Sequence, residues 1–378
     1  MNMAKRAVCV SCFHFYEHRV ALVMEQLKSR GYDCVYITAD FSHFTKAPFT
    51  VSVPGGEQVH TLPYHKNLSL ARIRSHMRFA RDVFRRVDQI GPDLIYVMVP
   101  PNSLARAAAK YKRKHPGVQL ALDLYDLWPE TFPSSRAKKL LALPFDIWRR
   151  VRDGGLAAAD RVYTECDLYR QVLARQLAGK RVTPLPLCRE RETAAGPLAA
   201  PAGEELALCY LGSINNIIDI DLLARLLGQI AALRPVALHV IGEGEAREAL
   251  LSAAKAAGAR VEYHGRIYDE AQRQAIFDRC HFGLNVMKSS VCVGLTMKSL
   301  DYFAGALPLL NTIQGDTADL VSRCGAGINI DRQHLADTAR RAAECTAEQN
   351  AAMRRAALTV FRENFSQEAV RRQLADLG

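Results

Sequence analysis

The sequence predicts an α/β protein built from two doubly wound, Rossmann-like domains facing a central cleft. Three observations predict it. Apolar runs of strand length alternate with helical patterns along the chain, the mark of parallel sheets with crossover helices. The alternation is interrupted once, from Thr193 to Glu204, by an Ala-, Pro- and Gly-rich stretch without periodicity that reads as a linker. A length of 378 residues also exceeds the usual span of one hydrophobic core. The expected domains are residues 1–192 and 205–360, with a C-terminal helix over 361–378 packing back toward the first domain.

In the first half, Ala7 to Cys12 reads as a strand, Val20 to Arg30 as a helix stopped by Gly31, and Asp33 to Thr38 as the next strand. From Leu68 to Val87, Leu70, Ile73, Met77, Val83, Phe84 and Val87 follow helical spacing, with Arg74, Arg78, Arg81, Arg85 and Arg86 on the remaining surface. Pro92 to Val99 holds a strand, Leu104 to His115 a helix, and Gln119 to Leu124 a strand ending in Asp126-Leu127-Trp128-Pro129-Glu130. A helix from about Ser134 to Ala158 and a strand over Arg161 to Thr164 complete this half. In the second half, strands are expected at 206–211, 237–241, 261–264, 282–286, 307–310 and 327–330, with helices between them.

Composition narrows the function classes. The hydrophobic content of 49% with 24% charge fits a globular protein, and no apolar run is long enough to span a bilayer. The first apolar run reads as a buried strand rather than a signal peptide, so a cytoplasmic protein is expected. Ten scattered cysteines suit a reducing compartment. Cys9 and Cys12 form a C-x-x-C inside a strand, where buried thiols are expected rather than a redox or metal pair. The net charge of +11 is uneven: His65 to Gly155 carries 18 Lys or Arg against 8 Asp or Glu. Such a face suits an anionic membrane surface or a phosphorylated substrate. The aromatics on it, Phe79 and Phe84, look like core residues, so nucleic acid is not an expected partner.

The residues that carry chemistry concentrate after the linker. Gly212 and Ser213 lie between a strand and a helix, where backbone can approach a phosphate closely. Gly242 closes the next strand. Ser290, Gly294, Leu295 and Thr296 belong to a small-residue loop just before a helix, and Lys298 sits in that helix's first turn. A cation there opposes the helix dipole, and a bound phosphate resolves the conflict. Asp301, one turn on, is placed to accept from a ribose. In the first half, His14, Glu17, His18 and Arg19 follow the first strand, and Asp126, Trp128 and Glu130 end another; these are the acceptor-side candidates.

Gly294-Leu295-Thr296-Met297-Lys298-Ser299-Leu300-Asp301-Tyr302-Phe303-Ala304-Gly305-Ala306-Leu307-Pro308 resembles the G-x-P-x-K-x-x-E-Y-x-A-x-G-x-P segment of bacterial family 4 glycosyltransferases. Val261 to Ile267 is similar to their base-binding turn, Asp160 to Cys166 to their A-D-x-V strand, and Asp126 to Glu130 to the D-L-W-P-E box of members that elongate polyprenyl-linked sugars. The resemblance covers nearly the whole chain in order. It implies a GT-B fold and retaining, metal-independent transfer of a hexosyl or N-acetylhexosaminyl group in lipopolysaccharide or capsule synthesis, with no cofactor. A nucleotide-sugar donor, a UDP-sugar favoured, and a glycan or lipid-linked acceptor are the implied partners, and the inner face of the membrane is the implied workplace. Lys298, Gly212 and Ser213 would then hold the diphosphate, Asp301 the ribose, and Gly265, Arg266 and Ile267 the base.

The chain also departs from the family. Val293 and Asp301 stand where two glutamates are usual, Ile214 to Ile217 carry no cation, Tyr125 replaces a histidine, and Ser11 to His18 lacks a glycine pair. A nucleotide-sugar epimerase or hydrolase, or a non-catalytic partner subunit of the same fold, is the alternative.

Overall fold

The computed structural model describes residues 5–132, 142–196 and 198–378. The chain divides into two compact units, one running to Leu187 and including Val370–Gly378, the other Cys188–Ala369. The division falls ahead of the Ala/Pro-rich stretch expected as the linker. Thr193 and Ala194 donate to the carbonyl of Ala304, so that stretch is fastened to the second unit. The expected helix 361–378 is also divided. Phe361 and Phe365 stay in the second unit, while Val370, Leu374 and Leu377 are buried in the first.

The first unit holds β1 (Lys5–Ser11), β2 (Tyr32–Ala39), β3 (Glu57–Val59), β4 (Leu94–Val99), β5 (Gln119–Leu124), β6 (Arg161–Thr164) and β7 (Arg181–Pro184). All pair in parallel in the order β3-β2-β1-β4-β5-β6-β7. β4 is buried along its whole length because helices cover both faces, which is why it reads as an unbroken apolar run. β3 and β7 escape sequence reading: each is short, lies at a sheet edge and lacks an apolar period.

The basic helix spans Leu70–Ile90, capped by the Ser69 side chain and ended by Gly91 in the left-handed conformation. Its buried face is His76, Phe79, Ala80, Val83, Val87 and Ile90. Leu70 and Met77, expected on that face, are instead 71% and 55% exposed. The seam runs through Phe79 and Ala80, one step round the helix from the expected stripe. The beginning of the helix expected from Ser134 lies outside the described residues; its remainder is Ala142–Leu156.

The second unit holds β8 (Leu206–Leu211), β9 (Val236–Ile241), β10 (Arg260–Gly265), β11 (Phe282–Asn285), β12 (Leu309–Asn311) and β13 (Gly327–Asn329), parallel in the order β10-β9-β8-β11-β12-β13. Leu208, Tyr210, Leu238, Val240 and Leu284 are fully buried in its core beside Leu222, Leu226 and Ile230 of the helix Ile220–Ala231. In both sheets the order reverses beside the first strand, between β1 and β4 and between β8 and β11. Such switch points, at the carboxyl ends of the strands, are where open α/β sheets bind ligands.

Candidate functional site

At the switch point of the second sheet, the turns after β8, β9 and β10 are stitched together by backbone. The Gly212 amide donates to the Ile241 carbonyl at 2.9 Å, and the Gly242 amide donates to the Gly265 carbonyl at 2.7 Å. Gly212 and Gly242 have φ of +113° and +144°, and a Cβ on Gly242 would lie 1.9 Å from the Gly212 carbonyl oxygen. Glycine is therefore required for these turns to touch. The stitching brings together Gly212, Ser213, Gly242 and Gly265; Ser213 and Arg266 are exposed, and Ile267 is half-buried.

Across the switch, β11 leads through the loop holding Ser290 and Gly294 to the helix Met297–Ala304. Ser290 is exposed, whereas Gly294 and Leu295 are buried. The Gly294 carbonyl accepts from both the backbone amide and the hydroxyl of Thr317, at 3.0 and 2.6 Å, which pins the loop. Thr296 caps the helix, its hydroxyl accepting from the Ser299 amide at 3.2 Å. Asn285, at the end of β11, donates to the Ser299 hydroxyl at 2.7 Å. Two of the polar groups before and within this first turn thus serve to fix it.

Lys298 is only 9% exposed, at the second position of that helix. Its ammonium lies 4.6 Å from the centre of the Tyr210 ring, and among the described residues it has no ion-pair partner. Burial alone pulls its pKa from 10.5 down to about 8. A buried cation at the positive end of a helix, faced by one aromatic ring, lacks a counter-charge that an anion would supply. Asp301, half-buried on the same helix, accepts from Arg189 Nε at 2.7 Å through Oδ1. Arg189 was not legible as part of this site, because it lies 112 residues away in sequence.

In the first unit, much of the expected acceptor set is engaged internally. Arg19 is buried: Nε and Nη2 donate to the two Asp123 carboxylate oxygens at 2.6 and 2.7 Å, and its other contacts are the Pro186 and Leu185 carbonyls. Tyr96 adds a short hydrogen bond to Asp123. Arg19 therefore leaves the polar loop and enters the core, because β5 offers a buried carboxylate beneath it. Glu17 Oε2 accepts from the Ser52 amide and hydroxyl. Glu130 accepts from Arg152, itself fully buried, at 2.8 and 2.9 Å, and from Arg149 at 3.1 Å. Its role is to neutralise a buried guanidinium. His14 and His18 are half-buried, and burial lowers the His14 pKa.

Asp126 and Trp128 line one small cavity with Arg72, His76 and Trp148. Asp126 accepts from the Thr131 hydroxyl at 2.8 Å, and burial raises its pKa. Glu165, which follows β6, joins it: burial first and Asp126 second push the Glu165 pKa up to about 8. This carboxyl pair at adjacent strand ends, with the Tyr16 ring 4.3 Å from that of Tyr125, was missed because Glu165, although inside the Asp160–Cys166 stretch, lies far from Asp126 in sequence. Tyr125 donates to the Pro100 carbonyl at 2.9 Å and is buried.

Cys9 and Cys12 are buried, and burial raises both pKa values, Cys12 to about 12, so they persist as thiols. Among the described residues, His239, Glu262 and His264 come together at metal-ligand spacing, and no helix is long and apolar enough to cross a membrane.

Residues 205–345 match the family described as "Glycosyl transferases group 1". No curated protein matches the chain. Among solved structures, the fold is similar to sucrose-phosphate synthase from Thermosynechococcus elongatus, with TM-score 0.72, 14% identity and coverage of 99% of this chain and 98% of that one. Anabaena HepE in complex with UDP gives TM-score 0.68 at 13% identity, with 98% of each chain covered. WaaG, a glycosyltransferase involved in lipopolysaccharide biosynthesis, gives 0.63 at 13% identity, covering 98% of this chain and 99% of that one. The chain thus has the GT-B fold of two parallel-sheet α/β domains, and residues 205–345 are similar to the glycosyl transferases group 1 family.

Proposed function

We propose that this protein is a retaining glycosyltransferase that moves a hexosyl or N-acetylhexosaminyl group from a nucleotide-sugar, a UDP-sugar favoured, to a glycan or lipid-linked acceptor in cell-surface polysaccharide synthesis. The observation that carries the reading is Lys298, a buried ammonium without a counter-charge beside the stitched glycine turns. A donor diphosphate supplies the missing anion. As the sugar departs, negative charge grows on the leaving diphosphate, and a fixed ammonium with helix-start amides stabilises it without reorganising. The transfer step in this reading uses no metal. Asp301, steadied by Arg189, holds the ribose, and the turn Gly265 to Ile267 frames the base. That HepE was solved with UDP supports the choice of nucleotide.

On the acceptor side, Asp126 orients the attacking hydroxyl and Trp128 offers a stacking face. The basic helix supports a workplace on the inner surface of the membrane. Leu68, Leu70 and Met77 are exposed beside Arg74, Arg78, Arg81 and Arg85. A cavity of about 530 Å³ lies between this helix and Asn102–Lys114, with an apolar lining that includes Phe84 and Trp148 and a rim of Arg81, Arg85, Arg106 and Lys110. Apolar side chains ringed by cations match an anionic lipid surface.

A thermal-shift panel of UDP, GDP, ADP, CDP and dTDP tests the donor assignment. UDP alone should stabilise the protein strongly, and Lys298→Ala should abolish that shift. Equal shifts in parent and variant would remove the diphosphate site. Incubation with labelled donor, with and without acceptor glycan, then separates transfer from hydrolysis or epimerisation by product.

A further inference from the structure

We infer that His239, Glu262 and His264 form a structural site for a tetrahedral divalent metal ion such as zinc, at the outer edge of the second sheet. The three side chains come from adjacent parallel strands, with Glu262 directly opposite His239 in register. A register shift between Tyr263 and Gly265 falls at His264, where β10 runs out into its turn. Glu262 and His264, two residues apart on a strand, share a face.

The ligand atoms are spaced as a metal requires. His239 Nδ1 lies 3.1 Å from His264 Nε2 and 3.3 Å from a Glu262 oxygen, and the last pair is 4.0 Å apart. Zinc bonds of about 2.0–2.1 Å in tetrahedral geometry set the ligand atoms roughly 3.3 Å apart. Two edges of the triangle are therefore formed, and the third closes with a small movement of the Glu262 carboxylate. The imidazole planes lie 5° from parallel with ring centroids 5.3 Å apart, and the Nδ1–Nε2 contact between them is a hydrogen bond that a bound ion would replace. His239 is 3% exposed, while His264 and Glu262 are half-buried, which leaves an outer position for water or an exogenous ligand.

The surroundings supply outer partners of the kind metal sites use. Arg260 binds the other Glu262 oxygen and is itself held by Glu205 at 3.0 Å through Nε, fixing the carboxylate. The positive charge of Arg260 and Arg279 works against a cation here, and the Glu262 carboxylate partly offsets it. His264 precedes Gly265, whose carbonyl accepts from Gly242. An ion here therefore ties the edge strand to the stitched turns without taking part in transfer.

The assignment stands apart from the glycosyl-transfer reading, and its test needs no sugar substrate. Untagged full-length protein, stripped with EDTA, is titrated with zinc by calorimetry and with cobalt(II) in the visible range. One zinc per chain, tetrahedral cobalt bands and a zinc-dependent rise in melting temperature are expected. His264→Gln, which keeps a polar side chain on the strand, and Glu262→Gln should each weaken binding at least about tenfold and remove the cobalt bands. Absence of stoichiometric zinc binding in the parent, or binding unchanged in both folded variants, overturns the assignment. UDP binding measured on the same samples reports on the donor site separately.

Discussion

The two sheets share one topology, and their loop ends use charge in opposite ways. In the first unit, cations beneath the loop ends already have anions: Arg19 has Asp123, and Arg152 has Glu130. In the second, Lys298 is buried to a similar degree and has an aromatic ring in place of an anion. A satisfied buried pair holds a fold together locally, whereas an unsatisfied charge at a switch point is a place for a ligand. The comparison separates polar residues that build the scaffold from those that wait for a partner.

The sharpest way to break this contrast is to remove one cation of each kind. Arg19→Ala leaves Asp123 buried without its guanidinium and should cost about 3–5 kcal/mol in urea unfolding of the first unit. Nucleotide affinity of the folded fraction should be unchanged. Lys298→Met should behave in reverse. The free protein keeps or gains stability, because a buried charge is deleted, while UDP affinity by calorimetry falls about 10–100-fold, as for a lost charge-assisted contact. If Lys298→Met destabilises as Arg19→Ala does, Lys298 belongs with the scaffold.

Smaller effects follow from titration. With Lys298 lowered to about 8, the free protein carries the ammonium below pH 8 and loses it above. From this group, UDP affinity should be flat below pH 8 and fall by up to about tenfold per pH unit above it. Unliganded stability moves the other way, rising from about pH 8 toward the ordinary lysine range, because there the unfolded chain binds the extra proton. In the first unit, Glu165 is raised to about 8, so its protonated form favours folding and that contribution is lost as pH rises from the ordinary 4.5 through 8. Glu165→Gln should flatten this slope and raise the melting temperature at pH 8.5 by on the order of 2–4 °C.

The parts of this contrast that the sequence displayed are those set by local pattern. Apolar runs located β1, β2, β4, β5 and β6 and most strands of the second sheet, because buried parallel strands are apolar on both faces, whereas β10, also expected, is an edge strand exposed or half-buried throughout. The glycine turns and Lys298 stood out because a tight turn and a cation at a helix start each break a local preference. What stayed hidden depends on pairing across the chain. Nothing near Arg19 announces Asp123, 104 residues away, and nothing near Asp301 announces Arg189. The polar run from His14 to Arg19 looked like one exposed loop, yet Glu17 and Arg19 turn inward to partners on distant elements. The Leu70–Ile90 helix was legible in extent but rotated in its burial, because arginine stems mask which apolar stripe faces the core.

The contrast between satisfied and waiting charge rests on the Lys298 ammonium, and carbon-13 NMR of labelled lysine side chains reads it directly. Titrated without ligand, Lys298 should deprotonate near pH 8, and saturating UDP should move that midpoint upward by at least about one unit as the diphosphate supplies its counter-charge. An ordinary lysine midpoint in the free protein that UDP does not move would contradict the account.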